Sequence, residues 1–176
     1  MRKMRKMTKG VNGKKKGDEF ERAVVRALRA WTSRDFRRTD GSGAIKDAYT
    51  YAHELGDVRP KDPEDFPYFP FIIECKSYKK IAYHQIIAGK CLQLDEWLVQ
   101  LKGDVDTFNK AVDKLKMRGL LFFKANNVEI MVATLYPYRL PDEVHKSVMI
   151  YNKKCSIFPM KALMEIPYYK GLLGKC

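Results

Sequence analysis

The chain has 176 residues, of which 45% are hydrophobic and 12% aromatic, which is enough for one globular domain without metal or disulfide staples. No apolar run reaches the roughly 20 residues that span a bilayer, so we expect no membrane partner. The net charge of +13 predicts a polyanionic partner. Nucleic acid is favoured over a membrane surface, because the basic N-terminus lacks interleaved large apolar residues.

The first segment, residues 1–15, is predicted to be a flexible basic arm, followed by a single domain over residues 16–176. Residues 1–16 contain eight Lys or Arg and no acid. Because this basic run has no apolar stretch behind it, we do not expect it to be a secretory signal.

An amphipathic helix is predicted to follow Gly17. Its apolar residues recur at i, i+3, i+4, i+7, i+8 and i+11, namely Phe20, Ala23, Val24, Ala27, Leu28 and Trp31. Arg22, Arg26 and Arg29 form a row on another face, where they can meet phosphates. Glu21 borders the apolar face. This acid is interpreted either as the partner of a neighbouring arginine or as a functional residue, and the sequence leaves both alternatives open.

A short strand is predicted for residues 36–39, followed by a turn or loop at residues 40–43. Arg37, Arg38 and Ser42 are residue types that hold phosphates, although many surface loops contain them. Residues 44–55 show no firm periodicity and are interpreted as a loop or a short helix.

The stretch Phe69–Ser77 is predicted to be a central strand, apolar at first and polar at its end. Because side chains alternate along a strand, Glu74 and Lys76 project from one face. Four prolines between Asp57 and the apolar run, at positions 60, 63, 67 and 70, favour a long extended loop between two neighbouring antiparallel strands, which would bring Asp57 beside Glu74. Two carboxylates and one ammonium would then converge. Carboxylate oxygens are suited to binding Mg²⁺, and the ammonium is suited to stabilising the negative charge that develops on a phosphate during the reaction.

The second half of the chain contains patterns for further helices and strands. Apolar spacing predicts one helix over residues 87–101 that ends at Gly103, and another over residues 105–117. Residues 120–124 and 128–134 are predicted to be paired strands around Asn126-Asn127, and residues 148–166 another strand with a short helix. Together these elements predict an α/β (α+β) fold, a mixed β-sheet flanked by helices.

Three stretches resemble a known family. Gly56-Asp57, a spacer, and Glu74-Cys75-Lys76 resemble the D…ExK pattern of the PD-(D/E)XK nuclease superfamily. KGDEFER, residues 16–22, resembles the KGxxxER that opens the first helix of archaeal-type Holliday junction resolvases, and RTDGS, residues 38–42, resembles their R-x-x-G-S loop. The likeness covers residues 16–80. It implies a restriction-endonuclease-like core in a resolvase of cellular, viral or phage origin.

The resemblance also implies a metal site. Asp57 and Glu74 would bind Mg²⁺, for which Mn²⁺ would substitute, and the backbone carbonyl of Cys75 would be a further ligand. Glu21 would reach the same ion directly or through water. Lys76 would be the catalytic lysine.

The DNA contacts implied by the resemblance and the charge pattern fall on five residues: Lys16, Arg22, Arg37, Arg38 and Ser42. Gln85 lies where related nucleases carry a glutamine near the metal-bound water. The stretches 44–55 and 58–70 are longer than in compact members of the family, and their roles are open.

The function implied is that of a metal-dependent, structure-specific endodeoxyribonuclease that resolves four-way DNA junctions by paired nicks in recombination and repair. Each nick would leave 5′-phosphate and 3′-hydroxyl ends. The two symmetric strands of a junction predict a homodimer with two active sites. Another PD-(D/E)XK DNA endonuclease, restriction-like or serving replication or repair, is the alternative, and a non-catalytic DNA-binding protein is the next.

The cysteines indicate the cellular compartment. All four are widely separated, with no CxxC pair: Cys75, Cys91, Cys155 and Cys176. This pattern argues against a zinc site and for reduced thiols. We therefore expect a cytoplasmic protein, associated with the nucleoid or with the cytoplasm of a virus-infected host.

Overall fold

A mixed β-sheet lies at the centre of the protein, whose computed structural model describes residues 9–39, 54–135, 149–152, 155–165 and 167. Within those residues the strands are β1 (Phe36–Arg38), β2 (Val58–Pro60), β3 (Phe71–Tyr78), β4 (Arg118–Ala125), β5 (Met131–Leu135), β6 (Met149–Tyr151) and β7 (Cys155–Pro159). Their order across the sheet is β1-β2-β3-β4-β5-β7-β6. β3 and β4 are parallel, and the other neighbouring strands are antiparallel.

Helices pack on both faces of this sheet. They are α1 (Lys9–Thr32), α2 (Tyr83–Ile87), α3 (Leu92–Ala111) and α4 (Met160–Met164), together with a 3₁₀ turn at Pro63–Asp65. On one face Val24 and Leu28 of α1 share a core with Phe122, and on the other Leu101 of α3 shares a core with Leu121. The predicted α/β (α+β) class, a mixed sheet flanked by helices, is confirmed. In the described part of the chain, no helix is both long and apolar enough to cross a membrane.

α1 begins earlier than the sequence pattern predicts. It starts at Lys9, so residues 9–15, which are part of the predicted flexible arm, are helical. Residues 1–8 lie outside the described residues. The physical reason is that a helix already anchored by the buried Phe20 and Val24 can extend without a new nucleation step. Lysine is also a good helix former.

α3 is one continuous helix, although two were predicted. Gly103 does not end it, and the helix runs on to Ala111. Leu101 and Val105 on either side are 0% and 6% exposed, and their burial outweighs the cost of about 1 kcal/mol for an internal glycine. The chain breaks instead near Gly89, whose φ of +70° is left-handed, between α2 and α3.

Four predicted strands are confirmed, with shifted ends: β1, β3, β4 and β5. The turn between β4 and β5 contains Asn127 with a φ of 59°, in agreement with the predicted Asn126-Asn127 turn. In residues 148–166, where one strand and a short helix were predicted, the structure has the antiparallel pair β6 and β7 followed by α4.

The proline-rich spacer packs against the body of the protein. It was predicted to be a long extended loop between two antiparallel strands, and within residues 58–70 the structure has β2, the first of those strands, and the 3₁₀ turn. Phe66 and Phe69 within it are 4% and 0% exposed. The Phe69 ring packs edge-on against Phe36 at 5.0 Å and Phe71 at 5.2 Å, measured between ring centroids. These contacts hold the spacer beside the sheet. Of residues 44–55, the structure describes only the last two.

Candidate active site

Asp57 lies where the chain enters β2. The preceding Gly56 has a φ of +82°, a conformation that glycine adopts freely, and a Cβ there would lie 2.7 Å from the Ile73 carbonyl oxygen. The N–H of Asp57 donates to that same carbonyl at 2.7 Å, and the N–H of Thr39 donates to the Asp57 carbonyl at 3.0 Å. The backbone of Asp57 is therefore fixed between β1 and β3.

The Asp57 carboxylate is held against the backbone of β3. Its Oδ2 accepts the N–H of Cys75 at 2.7 Å. Val58 pairs with Ile73 in antiparallel register, so the predicted convergence of Asp57 and Glu74 on neighbouring antiparallel strands is confirmed. Because an extended residue points its N–H and C=O to the same side of its strand, the Cys75 carbonyl also faces Asp57.

Glu74 and Lys76 lie on one face of β3, as strand alternation predicts. The side chain of Glu74 is only 4% exposed and that of Lys76 17%. Lys76 Nζ donates to Glu74 Oε2 at 2.8 Å. A buried carboxylate of this kind needs such a partner, since an unpaired charge in the interior is costly.

α3 contributes two side chains that the sequence pattern did not indicate. Gln100 donates from Nε2 to Glu74 Oε2 at 3.0 Å and accepts from Lys76 Nζ at its Oε1, also at 3.0 Å. Asp104, one turn further along α3, lies close to Glu74, and burial and the charge of Asp57 raise its pKa. The i, i+4 spacing of Gln100 and Asp104 places them on one face of a helix, but nothing in the sequence shows that this face meets Glu74.

Gln85 does not contact these residues among the described hydrogen bonds. It lies on α2 with its side chain exposed. Its backbone N–H donates to the Ala82 carbonyl, and its own carbonyl accepts the N–H of Lys90. The glutamine that contacts Glu74 and Lys76 is therefore Gln100, whereas Gln85 was the one predicted.

Arg38, at the end of β1, connects α1 to this site. Its Nε donates to Glu21 Oε2 at 2.6 Å, and its Nη2 donates to Asp18 Oδ1 at 2.6 Å. Burial raises the pKa of Glu21, Arg38 opposes that rise, and the charge of Asp57 adds to it. Glu21 thus lies close enough to Asp57 for the two charges to interact, and it is paired with an arginine.

The site carries more negative charge than its cations balance. Burial and the charge of Glu74 raise the pKa of Asp57 to about 6. The Cys75 N–H, Lys76 and Arg38 act in the opposite direction and lower this pKa, but they do not cancel the rise. Burial also raises the pKa of Glu74, although Lys76 opposes it. Burial lowers the pKa of Lys76, but the hydrogen bond to Glu74 and the nearby negative charges, first those of Glu74 and Asp57, together more than offset this, so the pKa of Lys76 lies above its ordinary value. Lys76 is therefore an ammonium at neutral pH.

The oxygen atoms gathered here fit a hard divalent cation. Asp57 and Glu74 provide carboxylates, and the Cys75 carbonyl faces Asp57. Across the described ranges, no three His, Cys, Asp or Glu side chains are grouped to enclose a metal ion. Mg²⁺ ordinarily uses one or two carboxylates and completes its shell with water and substrate phosphates. A cation would also relieve the repulsion that raises the pKa of Asp57.

The residues predicted to contact DNA lie mainly along α1 and β1. Lys16 and Arg22 are exposed on α1. Arg37 donates to Glu54 Oε1 at 3.1 Å, and Arg38 pairs with acids of α1. Ser42 lies outside the described residues.

Comparisons with known proteins identify the family. No curated protein matches the sequence of this chain. One solved structure that is similar to it is that of Archaeoglobus fulgidus Hjc, a Holliday junction resolvase from an archaeal hyperthermophile, with 13% identity, 83% of this chain and 90% of that chain covered, and a TM-score of 0.37. The family described as "Phage putative PDDEXK endonuclease" matches residues 12–165. Because that match spans most of the chain and includes Asp57, Glu74 and Lys76, the protein belongs to this phage family of PD-(D/E)XK endonucleases.

Proposed function

We propose that this endonuclease is metal-dependent and structure-specific, and that it resolves four-way DNA junctions by paired nicks. The convergence of Asp57, Glu74 and Lys76 at β3 carries the proposal. The ion pair between Arg38 and Glu21 supports the junction substrate, because it joins the two stretches that resemble resolvase motifs. The net charge of +13 supports a nucleic-acid substrate.

Asp57, Glu74 and the Cys75 carbonyl would hold Mg²⁺ or Mn²⁺. When bound, such an ion supplies a Lewis acid that lowers the pKa of water and balances phosphate charge. Lys76 keeps its proton in the folded protein, and its hydrogen bond to Glu74 holds an ammonium beside the residues that would bind the ion. That ammonium would stabilise the negative charge that grows on the scissile phosphate as water attacks in line. The 3′ oxygen would leave, giving a 5′-phosphate and a 3′-hydroxyl.

Glu21 would complete the site from α1, either at the metal or through a water. Arg38 holds its carboxylate in place, at 2.6 Å. A DNA phosphate is a competing partner for the same guanidinium, since arginine binds carboxylate and phosphate in similar geometry. Substrate binding would then loosen Glu21 from Arg38 and allow it to approach the ion.

A homodimer would suit this substrate. A four-way junction presents two symmetry-related strands, and a two-fold dimer presents two identical sites to them. We place its action in recombination and repair, in the cytoplasm, at the nucleoid or in a virus-infected host cell. Light scattering of the purified protein, alone and with junction, measures the number of subunits.

Cleavage of a labelled mobile junction with Mg²⁺, set against linear duplex, flap and single strand, tests the proposal. We expect symmetric paired nicks in the junction, and no cleavage by the Asp57→Asn or Lys76→Ala variants. Equal cutting of linear duplex would instead support a restriction-like or repair endonuclease of the same family. Binding of the junction without cutting, with either Mg²⁺ or Mn²⁺, would overturn the enzymatic function.

A further inference from the structure

A groove lies between α1 and the edge strand β1, beside the proposed active site. Its volume is about 590 Å³. Two apolar side chains form its floor: Val25 is 7% exposed and Phe36 is 0% exposed. Five arginines border this α1–β1 groove: Arg22, Arg26, Arg29, Arg37 and Arg38. A concave surface with this many guanidinium groups is suited to an anionic ligand longer than a single ion.

Both ends of the α1–β1 groove are fixed by protein contacts. At one end Arg29 donates to the Phe36 carbonyl from Nε at 3.2 Å and from Nη2 at 2.7 Å, and it pairs with Asp35 at 2.7 Å. At the other end Arg38 pairs with Asp18 and Glu21. The contacts of Arg29 and the pair of Arg38 with Asp18, which do not involve Glu21, preorganise the groove, so a ligand does not have to order its walls.

The two arginines in the middle of the groove have a different environment. Arg22 and Arg26 are exposed on α1. Within the described part of the chain, no acidic residue forms an ion pair with either of them, in contrast to the arginines at both ends. Their charge is therefore available to a ligand that enters the groove.

The direction and length of the groove relate it to the active site. The Arg38 end adjoins Asp57, because Thr39 is bonded to Asp57 and Arg38 is opposite Val58 in the sheet. From there the groove leads away from the site toward Arg29. Arg22 and Arg29 are separated by about 10 Å along α1, at a rise of about 1.5 Å per residue. A duplex strand carries one phosphate per roughly 3.4 Å of its axis, so the groove is long enough for more than one phosphate.

We infer that the α1–β1 groove binds the sugar–phosphate backbone of the DNA strand next to the cut, with Arg22 and Arg26 as its principal contacts. The inference rests on the proposed function for the identity of the adjoining site. The groove reads no base sequence. Among its described lining residues the one aromatic side chain, Phe36, is fully buried and cannot stack on a base, and arginine contacts to phosphate carry no sequence information.

Salt-dependent binding of a fluorescent four-way junction in EDTA tests this inference with an Arg22→Gln/Arg26→Gln variant. Loss of two phosphate contacts should raise Kd about 10- to 100-fold at low salt and reduce the slope of log K against log salt by about 2. The change should be the same for two junctions of unrelated sequence. An Arg22→Lys/Arg26→Lys variant retains the charge and should keep most of the slope.

Lys110→Gln/Lys114→Gln is the matched control. It removes two charges from exposed positions at and beyond the end of α3, on the other side of the sheet, and should change the slope by less than half as much. An unchanged slope in the Arg22/Arg26 variant, an equal change in the lysine control, or an effect that depends on junction sequence would overturn the inference.

The binding test of the groove and the cleavage test of the proposed function can fail independently of each other. If the wild type never cuts DNA but the Arg22/Arg26 variant loses binding and salt slope, the groove is supported and the nuclease proposal fails. If the wild type cuts junctions but the variant binds with the wild-type affinity and slope, the nuclease proposal is supported and the groove is overturned.

Discussion

The carboxylate of Asp57 accepts the backbone N–H of Cys75 at 2.7 Å, so an acid at the start of β2 is attached directly to the backbone of β3. This bond holds Asp57 beside Glu74 although the two charges repel. Together with burial, that repulsion raises the pKa of Asp57 to about 6. The folded protein therefore carries an electrostatic cost at this position when no cation is bound.

Asp57→Asn should make the metal-free protein more stable at neutral pH while abolishing cleavage. The amide oxygen can still accept the Cys75 N–H, but it carries no charge to repel Glu74. In the wild type, the stability contributed by protonation of Asp57 is complete below its ordinary pKa of 3.8 and is lost as the pH rises through about 6. Thermal unfolding in EDTA between about pH 3 and pH 8 measures this. The Tm advantage of the variant should develop between those two pKa values and then stay constant. A difference that does not vary with pH would contradict the raised pKa.

Lys76→Met should lower both cleavage and stability. It leaves the Glu74 carboxylate, which is 4% exposed, without its charged partner. Removal of one member of a buried pair costs about 3 kcal/mol, and loss of a group that stabilises transition-state charge costs about 100-fold or more in rate. Urea unfolding and single-turnover cleavage measure the two effects. Lys80→Met, at an exposed position just beyond β3, is the control and should behave as the wild type. Equal behaviour of the two variants would refute the role of Lys76.

Gln100→Leu should impair the site, whereas Gln85→Leu should not. Gln100 bonds to both Glu74 and Lys76, and hydrogen bonds that orient metal-binding groups are typically worth about 10- to 100-fold in affinity or activity. We expect weaker Mn²⁺ binding by calorimetry and a lower kcat, with little change in KM for DNA. If Gln85→Leu has the larger effect, the sequence-based assignment of the water-positioning glutamine is right and the assignment to Gln100 is wrong.

Two glycine substitutions should have opposite effects on stability. Gly56→Ala places a Cβ 2.7 Å from the Ile73 carbonyl oxygen, at a φ of +82°. It should cost about 1–3 kcal/mol and reduce cleavage, because Asp57 is the next residue. Gly103→Ala meets no atom within 4 Å and lies inside α3, so it should add up to about 1 kcal/mol. Chemical unfolding of both variants measures this, and stabilisation by Gly56→Ala would show that the left-handed entry to β2 is not required.

The convergence of Asp57 and Glu74 was predictable from the sequence because it depends on local rules. Alternation along β3 places Glu74 and Lys76 on one face, and the proline-rich spacer favours an antiparallel return. The apolar stripe of α1 was predictable for the same reason. In each case the period of the pattern and the geometry of the element agree.

Gln100 and Asp104 were not predictable, because their contacts with Glu74 arise from the packing of α3 on the sheet. Gln100 and Glu74 are 26 positions apart in the chain, and no periodicity connects them. The continuity of α3 through Gly103 has the same origin, since local propensity favours a break and tertiary burial prevents it. Gln85 was favoured because related nucleases carry a glutamine just past the corresponding strand, a criterion that does not measure distance in this fold.

α1 contributes three things at once: the apolar stripe that packs on the sheet, the acid Glu21, and the arginines of the α1–β1 groove. Insertion of one residue between Glu21 and Arg26 would rotate the C-terminal part of α1 by about 100° around the helix axis and so remove either the stripe or the arginines from their places. The pitch of this single helix therefore fixes the distance between the DNA phosphates that we propose bind in the groove and the bond that we propose is cut.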